Sequence, residues 1–138
     1  METWVGAACI CIQDSKLLMV LQGKKDEDKK WTIPSGGLES YETIEQCCIR
    51  EVFEETGYAV ELTEKLHVKR GITFGVPVEV HYYKGRVLSG VPVIQDPDEL
   101  IYEIRWVDAA ELCKLSLSFP EDKELLLQLL GEARDHAV

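Results

Sequence analysis

Arg50, Glu51, Glu54 and Glu55 fall within six consecutive positions, and Gly57 follows them. In a helix, residues three and four apart are neighbours. A turn of about 100° per residue then sets Glu51, Glu54 and Glu55 on one face. Like charges at that spacing destabilise a bare helix by about 0.2–0.5 kcal/mol per pair. No lysine stands four residues beyond any of the three to pair with it. A hard divalent cation, which takes oxygen ligands, would offset the repulsion. A solvated acidic face is the competing reading. Gly36-Gly37 ahead of the stripe and Gly57 behind it favour the metal site, because glycine lets backbone approach an ion or a phosphate closely.

The elements that must hold these residues are readable. Ser40 is the expected N-cap of a helix, with Glu42 in its first turn. Gly57 sits where a left-handed C-terminal residue belongs. Cys48, Ile49, Val52 and Phe53 form an apolar arc beside the carboxylates, so one side of the helix packs on a core and the next looks into a cleft. Upstream, Trp4–Ile12 and Lys16–Leu21 read as a hairpin turning at Asp14-Ser15. Gln22–Lys30 reads as a charged surface loop. Trp31–Ile33 is a short extended piece, and Ser35-Gly36-Gly37 reads as a flexible turn. Downstream, Tyr58–Arg70, Val76–Leu88 and Leu100–Val107 alternate as strands, with turns at Gly71–Gly75 and Ser89–Pro97. Asp108 caps a short helix through Leu112. Ser118-Phe119-Pro120-Glu121 has the form of a capping box opening a terminal helix with five leucines between Leu125 and Leu130. That helix must pack on the sheet or against a second copy, which makes a homodimer an expectation. The whole reads as one α/β domain, residues 1–138, a mixed sheet covered by helices.

Composition narrows the function. A net charge of −10 argues against a grip on long nucleic acid, which needs a basic footprint. It leaves room for a small phosphate-bearing molecule, since a bound metal reverses the sign locally. Five cysteines, none in a CxxC pair, read as small buried hydrophobes in a reducing compartment. The apolar run Val5–Ile12 is too short to span a membrane, so a cytoplasmic location is expected. His67, His81 and His136 are scattered and form no ligand set in sequence. Trp31 beside its turn reads first as core and second as a base-stacking ring.

Gly36, then Glu42, then Arg50-Glu51-Val52-Phe53-Glu54-Glu55-Thr56-Gly57-Tyr58 resembles the Nudix box, GX5EX7REUXEEXGU, with every fixed letter in place. Tyr58 is the one departure, an aromatic in the last aliphatic slot. Ser35 stands where many members carry a glycine. Trp31-Thr32-Ile33-Pro34 and Glu103-Ile104-Arg105-Trp106-Val107 also look like that family. The resemblance implies an α/β/α sandwich around a mixed sheet, with helices on both faces. It implies hydrolysis of a nucleoside diphosphate linked to another moiety, with Mg²⁺, or Mn²⁺ in its place. On the matching positions, Glu54 and Glu55 are implied metal ligands, Glu51 a ligand or general base, and Arg50 the residue that orients a glutamate. The Ser35 carbonyl is an implied backbone ligand, and Gly36 and Gly37 shape the phosphate loop. A further ligand or base from downstream is implied, with Glu99 and Glu103 as candidates. The alternative is a Nudix-fold nucleotide-binding or regulatory module without turnover. Such modules lose box glutamates, and this chain keeps them all.

Overall fold

The computed structural model describes residues 2–97 and 99–136. Chain order is β1 (Trp4–Gln13), β2 (Lys16–Gln22), β3 (Lys30–Thr32), β4 (Ser35–Gly37), α1 (Ile44–Thr56), β5 (Tyr58–Thr73), β6 (Val76–Gly90), β7 (Ile101–Val107), α2 (Ala109–Leu112), a 3₁₀ turn at Pro120–Asp122, and α3 (Lys123–His136). The seven strands run β3-β2-β1-β6-β5, with β4 added on β1 and β7 on β2. The β1–β6 pair is parallel and the others antiparallel. The sheet is mixed, as expected.

Strand parity sorts the core into two layers, because successive side chains point to opposite faces. Ala8 and Ile10 of β1 join Met19, Tyr82 and the leucines of α3. Ala7, Cys9 and Cys11 join Cys47, Cys48 and Val52 of α1. One helix therefore covers each face. The greasy terminal helix finds its cover on the sheet: Leu126, Leu129 and Leu130 are buried, each contributing about 1.5–3 kcal/mol. The four cysteines at the α1 interface are buried, with the Cys9 and Cys11 sulfurs 3.6 Å apart. Burial pushes the Cys47 thiol up to about 12, so the small-hydrophobe reading holds for these four and fails for Cys113, which is exposed. Trp31 is only 7% exposed and belongs to the core.

Several boundaries differ from expectation. The helix starts at Ile44 and its N-cap is Thr43, not Ser40. The Thr43 hydroxyl accepts from Gln46 N–H, and the Gln46 side chain accepts from Thr43 N–H. This reciprocal box satisfies two donors at once and outcompetes Ser40. Gly57 is the left-handed C-cap as read, at φ 82°. Ser35-Gly36-Gly37 is no flexible turn; it is a strand held by pairing with Ala8, Ala7 and Gly6. β5 and β6 run longer than read and turn through Phe74 and Gly75 alone, both at positive φ, the geometry of a two-residue hairpin loop. Ser118 does not cap; its N–H donates to Trp31 O at 2.9 Å, and Phe119 opens the 3₁₀ turn with no side-chain cap. The Asp108 cap forms as read, accepting from Glu111 N–H. The His136 side chain lies outside the described residues.

Candidate active site

α1 lies across the sheet face carrying Ala7, Cys9 and Tyr83, and its acidic stripe is turned toward β4. Gly36 fits under it only because it has no side chain: a Cβ there would overlap the Glu51 carboxylate. The Cys47 thiol donates to Gly36 O at 3.6 Å. Ser35 N–H donates to Glu55 Oε1 at 3.3 Å. Helix and glycine strand are thus joined through Gly36, Glu51 and Glu55.

Arg50 organises the stripe. Its Nε donates to Glu42 Oε2 at 3.0 Å and its Nη2 to Glu42 Oε1 at 2.6 Å, a bidentate pair. Nη1 donates to Glu51 Oε1 at 2.8 Å and to Glu54 Oε2 at 3.2 Å. Nη2 also donates to Gly37 O at 3.0 Å. One guanidinium therefore ties the glycine loop, the loop–helix junction and two box glutamates together. Glu42 shapes that junction as read, since its Oε1 also accepts from Glu39 N–H at 2.9 Å. Arg50 holds the Glu42 carboxyl below the usual range. Glu45 is exposed and accepts from the Tyr83 hydroxyl at 3.1 Å.

Burial pushes the Glu51 carboxyl above the ordinary range. Glu55, only 5% exposed, is pushed well above it by burial first and then by the Glu51 carboxyl against it. Three carboxylates share one guanidinium here, and Glu55 lies behind them against Glu51. The NUDIX domain model matches residues 3–129. The chain belongs to the Nudix family.

Among its relatives, a MutT-like protein of Streptomyces ambofaciens is 31% identical over 118 residues, covering 76% of this chain and 75% of that protein. A stretch of 56 residues, 41% of this chain, is 41% identical to a Caenorhabditis elegans protein provisionally named nudix hydrolase 1. The chain spans only 15% of that relative's length. The solved structure of a NUDIX hydrolase from Nitrosomonas europaea superposes with a TM-score of 0.81 at 25% identity, covering 97% of this chain and 90% of that one. These matches agree with the family assignment.

The segment after the Nudix helix and its hairpin is fastened to the helix end. The last carbonyls of a helix have no partner within it; here Thr56 O accepts from Val93 N–H at 2.9 Å and Glu54 O from Gln95 N–H at 2.8 Å. This brings Asp96 close enough for its charge to raise Glu55 further. Asp96 Oδ2 also accepts from Leu100 and Ile101 N–H, fixing the start of β7. Sequence reasoning missed Asp96. Glu103 lies elsewhere, paired with Arg105 at 2.6 Å. That arginine stacks 4.6 Å from the Trp31 ring, on the sheet face opposite Ile104 and Trp106, which pack on the α1 side. Glu99 is exposed, in a left-handed conformation, and among the described residues no contact links it to Glu51, Glu54 or Glu55.

Among the described residues no three His, Cys, Asp or Glu side chains already converge as a cation cage, and Glu54 is drawn to Arg50. The donor set is nevertheless of the right kind for a hard cation: carboxylate oxygens, two of them buried against one another, beside a glycine backbone with no room for a Cβ. Among the described residues no helix is long and apolar enough to cross a membrane.

Proposed function

We propose that the chain is a metal-dependent pyrophosphohydrolase that cleaves a phosphoanhydride in a nucleoside diphosphate linked to another moiety. The observation that carries this reading is the surplus of acid at the Nudix helix, where Glu42, Glu51 and Glu54 share the guanidinium of Arg50 and Glu55 is buried against Glu51. Mg²⁺, with Mn²⁺ as a substitute, would be held by Glu51, Glu54 and Glu55 with the Ser35 carbonyl, and Asp96 is the downstream carboxylate best placed to join them. When bound, such an ion neutralises phosphate charge and activates water. The protein's own part is positioning. Arg50 fixes the directions of Glu51 and Glu54. Thr43 and Gly57 fix the helix ends, and the close seat of Gly36 under Glu51 admits the phosphates along backbone. A carboxylate of the stripe takes the proton of the attacking water.

The test is a panel of nucleotides with and without Mg²⁺, products separated, run beside Glu54→Gln. We expect phosphoanhydride cleavage that needs the metal and falls at least about a hundredfold in the variant. A variant as active as its parent on the best substrate removes the proposal. Nucleotide binding that needs Mg²⁺ but brings no turnover would mark the chain as a binding module instead.

A further inference from the structure

The β5–β6 hairpin is longer than the sheet that carries it. β1 first pairs with β6 at Trp4–Val78, so Ile72–Pro77 overhang the end of the sheet. Two unfavourable features meet at the tip. Phe74 sits at φ 50°, in the left-handed region where a bulky side chain is an outlier and Asn or Gly is at ease. Its ring is also wholly exposed, and Ile72 beside it is 76% exposed. Apolar surface left in water forgoes the main driving force of folding and association. Observed backbone strain of this kind points to a function.

Beside the tip lies an open groove of about 410 Å³, lined by Glu2, Trp4, Val5, Leu38 and Val76. Val76 follows the turn directly, so projection and groove adjoin in one molecule. That adjacency suits a two-fold axis passing between them, across which each copy's tip enters the other's groove. The exposed parts of Trp4, Leu38, Ile72, Phe74 and Val76 amount to roughly 600 Å² per copy. Each side of a standard interface gives about 800 Å², so the area is that of a weak, specific dimer. Charge agrees. On a chain of net −10, residues 65–78 carry Lys65, Lys69 and Arg70 and no carboxylate. The groove presents Glu2, and Glu39 follows Leu38. A basic arm against an acidic rim draws two copies together in this register and disfavours others.

We infer that the chain forms a two-fold dimer in which Ile72 and Phe74 of each copy fill the groove between Trp4 and Leu38 of the other. This face is distinct from the terminal helix, whose Leu126, Leu129 and Leu130 the sheet already covers. The dimer stands independently of the hydrolase reading. A membrane surface also takes an aromatic tip on a basic arm, but it has no use for the groove, and a net charge of −10 opposes anionic lipid.

Sedimentation equilibrium of the full chain from about 1 μM to about 100 μM, the regime of a small interface, should show the mass rising to that of two chains. Phe74→Asn places a residue suited to the left-handed turn. It should leave the urea midpoint of the dilute protein no lower than the parent's and weaken association at least about thirtyfold. Leu38→Asp should weaken it from the groove side. Mixed together, the two variants should associate more tightly than either alone, because the intact tip of one still meets the intact groove of the other. A dimer untouched by Phe74→Asn overturns the inference, as does a mixture no tighter than its components. A parent that stays monomeric throughout also overturns it; co-sedimentation with phosphatidylserine vesicles, lost in Phe74→Asn, would then give the tip to a membrane.

Discussion

Two clusters of acid around a single cation face each other across β1 and β4, and they are built for different ends. On the α1 side, Arg50 meets Glu42, Glu51 and Glu54, with Glu55 behind them. On the α3 side, Lys69 meets Glu121 and Asp122, and the Tyr82 hydroxyl supplies a further donor to Asp122. The first cluster has carboxylates left over, and burial pushes two of them toward protonation. In the second, the buried acid is matched by two donors and the ammonium is roofed by aromatic rings. Unmatched charge marks the place where the proposed ion would sit; matched charge marks a place that is balanced by its own donors.

Opposite signs of response would sharpen this contrast. Glu55→Gln should lower kcat at least about a hundredfold and at the same time stabilise the metal-free protein, because a buried repulsive contact disappears. Turnover and urea midpoints measure the two effects; a destabilised metal-free variant would break the comparison. Asp122→Ala should cost on the order of 2 kcal/mol, since the Tyr82 hydroxyl and Lys69 both lose an acceptor. Urea unfolding that left the midpoint where it was would show the second cluster to be idle. The smallest effect concerns Glu42, whose carboxyl Arg50 holds below its unfolded value of about 4.3. A depressed folded value stabilises in full above that pH and less as the pH falls through the folded value. Glu42→Gln should therefore lose on the order of 1 kcal/mol near neutrality, and the gap to the parent should close in acid. Urea midpoints from about pH 7 down to about pH 3 give the curve, and a constant gap would sever Glu42 from the charge argument.

What could be read in advance follows the range of the forces involved. The acidic stripe, the Gly57 cap and the Asp108 cap depend on residues within one or two turns, so their spacing displays them. The α1 start was missed because Ser40 and Thr43 are both able caps, and Gln46 decides between them through a reciprocal bond. Glycines carry little strand preference, and only the partner β1 makes Ser35–Gly37 a strand. Asp96 reaches Glu55 through a loop fastened to the far end of the helix, a link no local pattern records. Glu103 was open to better reading. Ile104 and Trp106 are the apolar members of β7, and strand parity alone sends Glu103 the other way.

The layer of sulfur between α1 and the sheet sets a stand-off. Cys9, Cys11, Cys47 and Cys48 are short side chains, and the gap between packed elements depends on the bulk at their contact. Gly85 below them has no space for even a methyl group against the Cys9 sulfur. A thicker residue in this shim would lift the whole helix and carry its carboxylates off the glycine strand. Reach at the surface is thus governed by thickness in the interior.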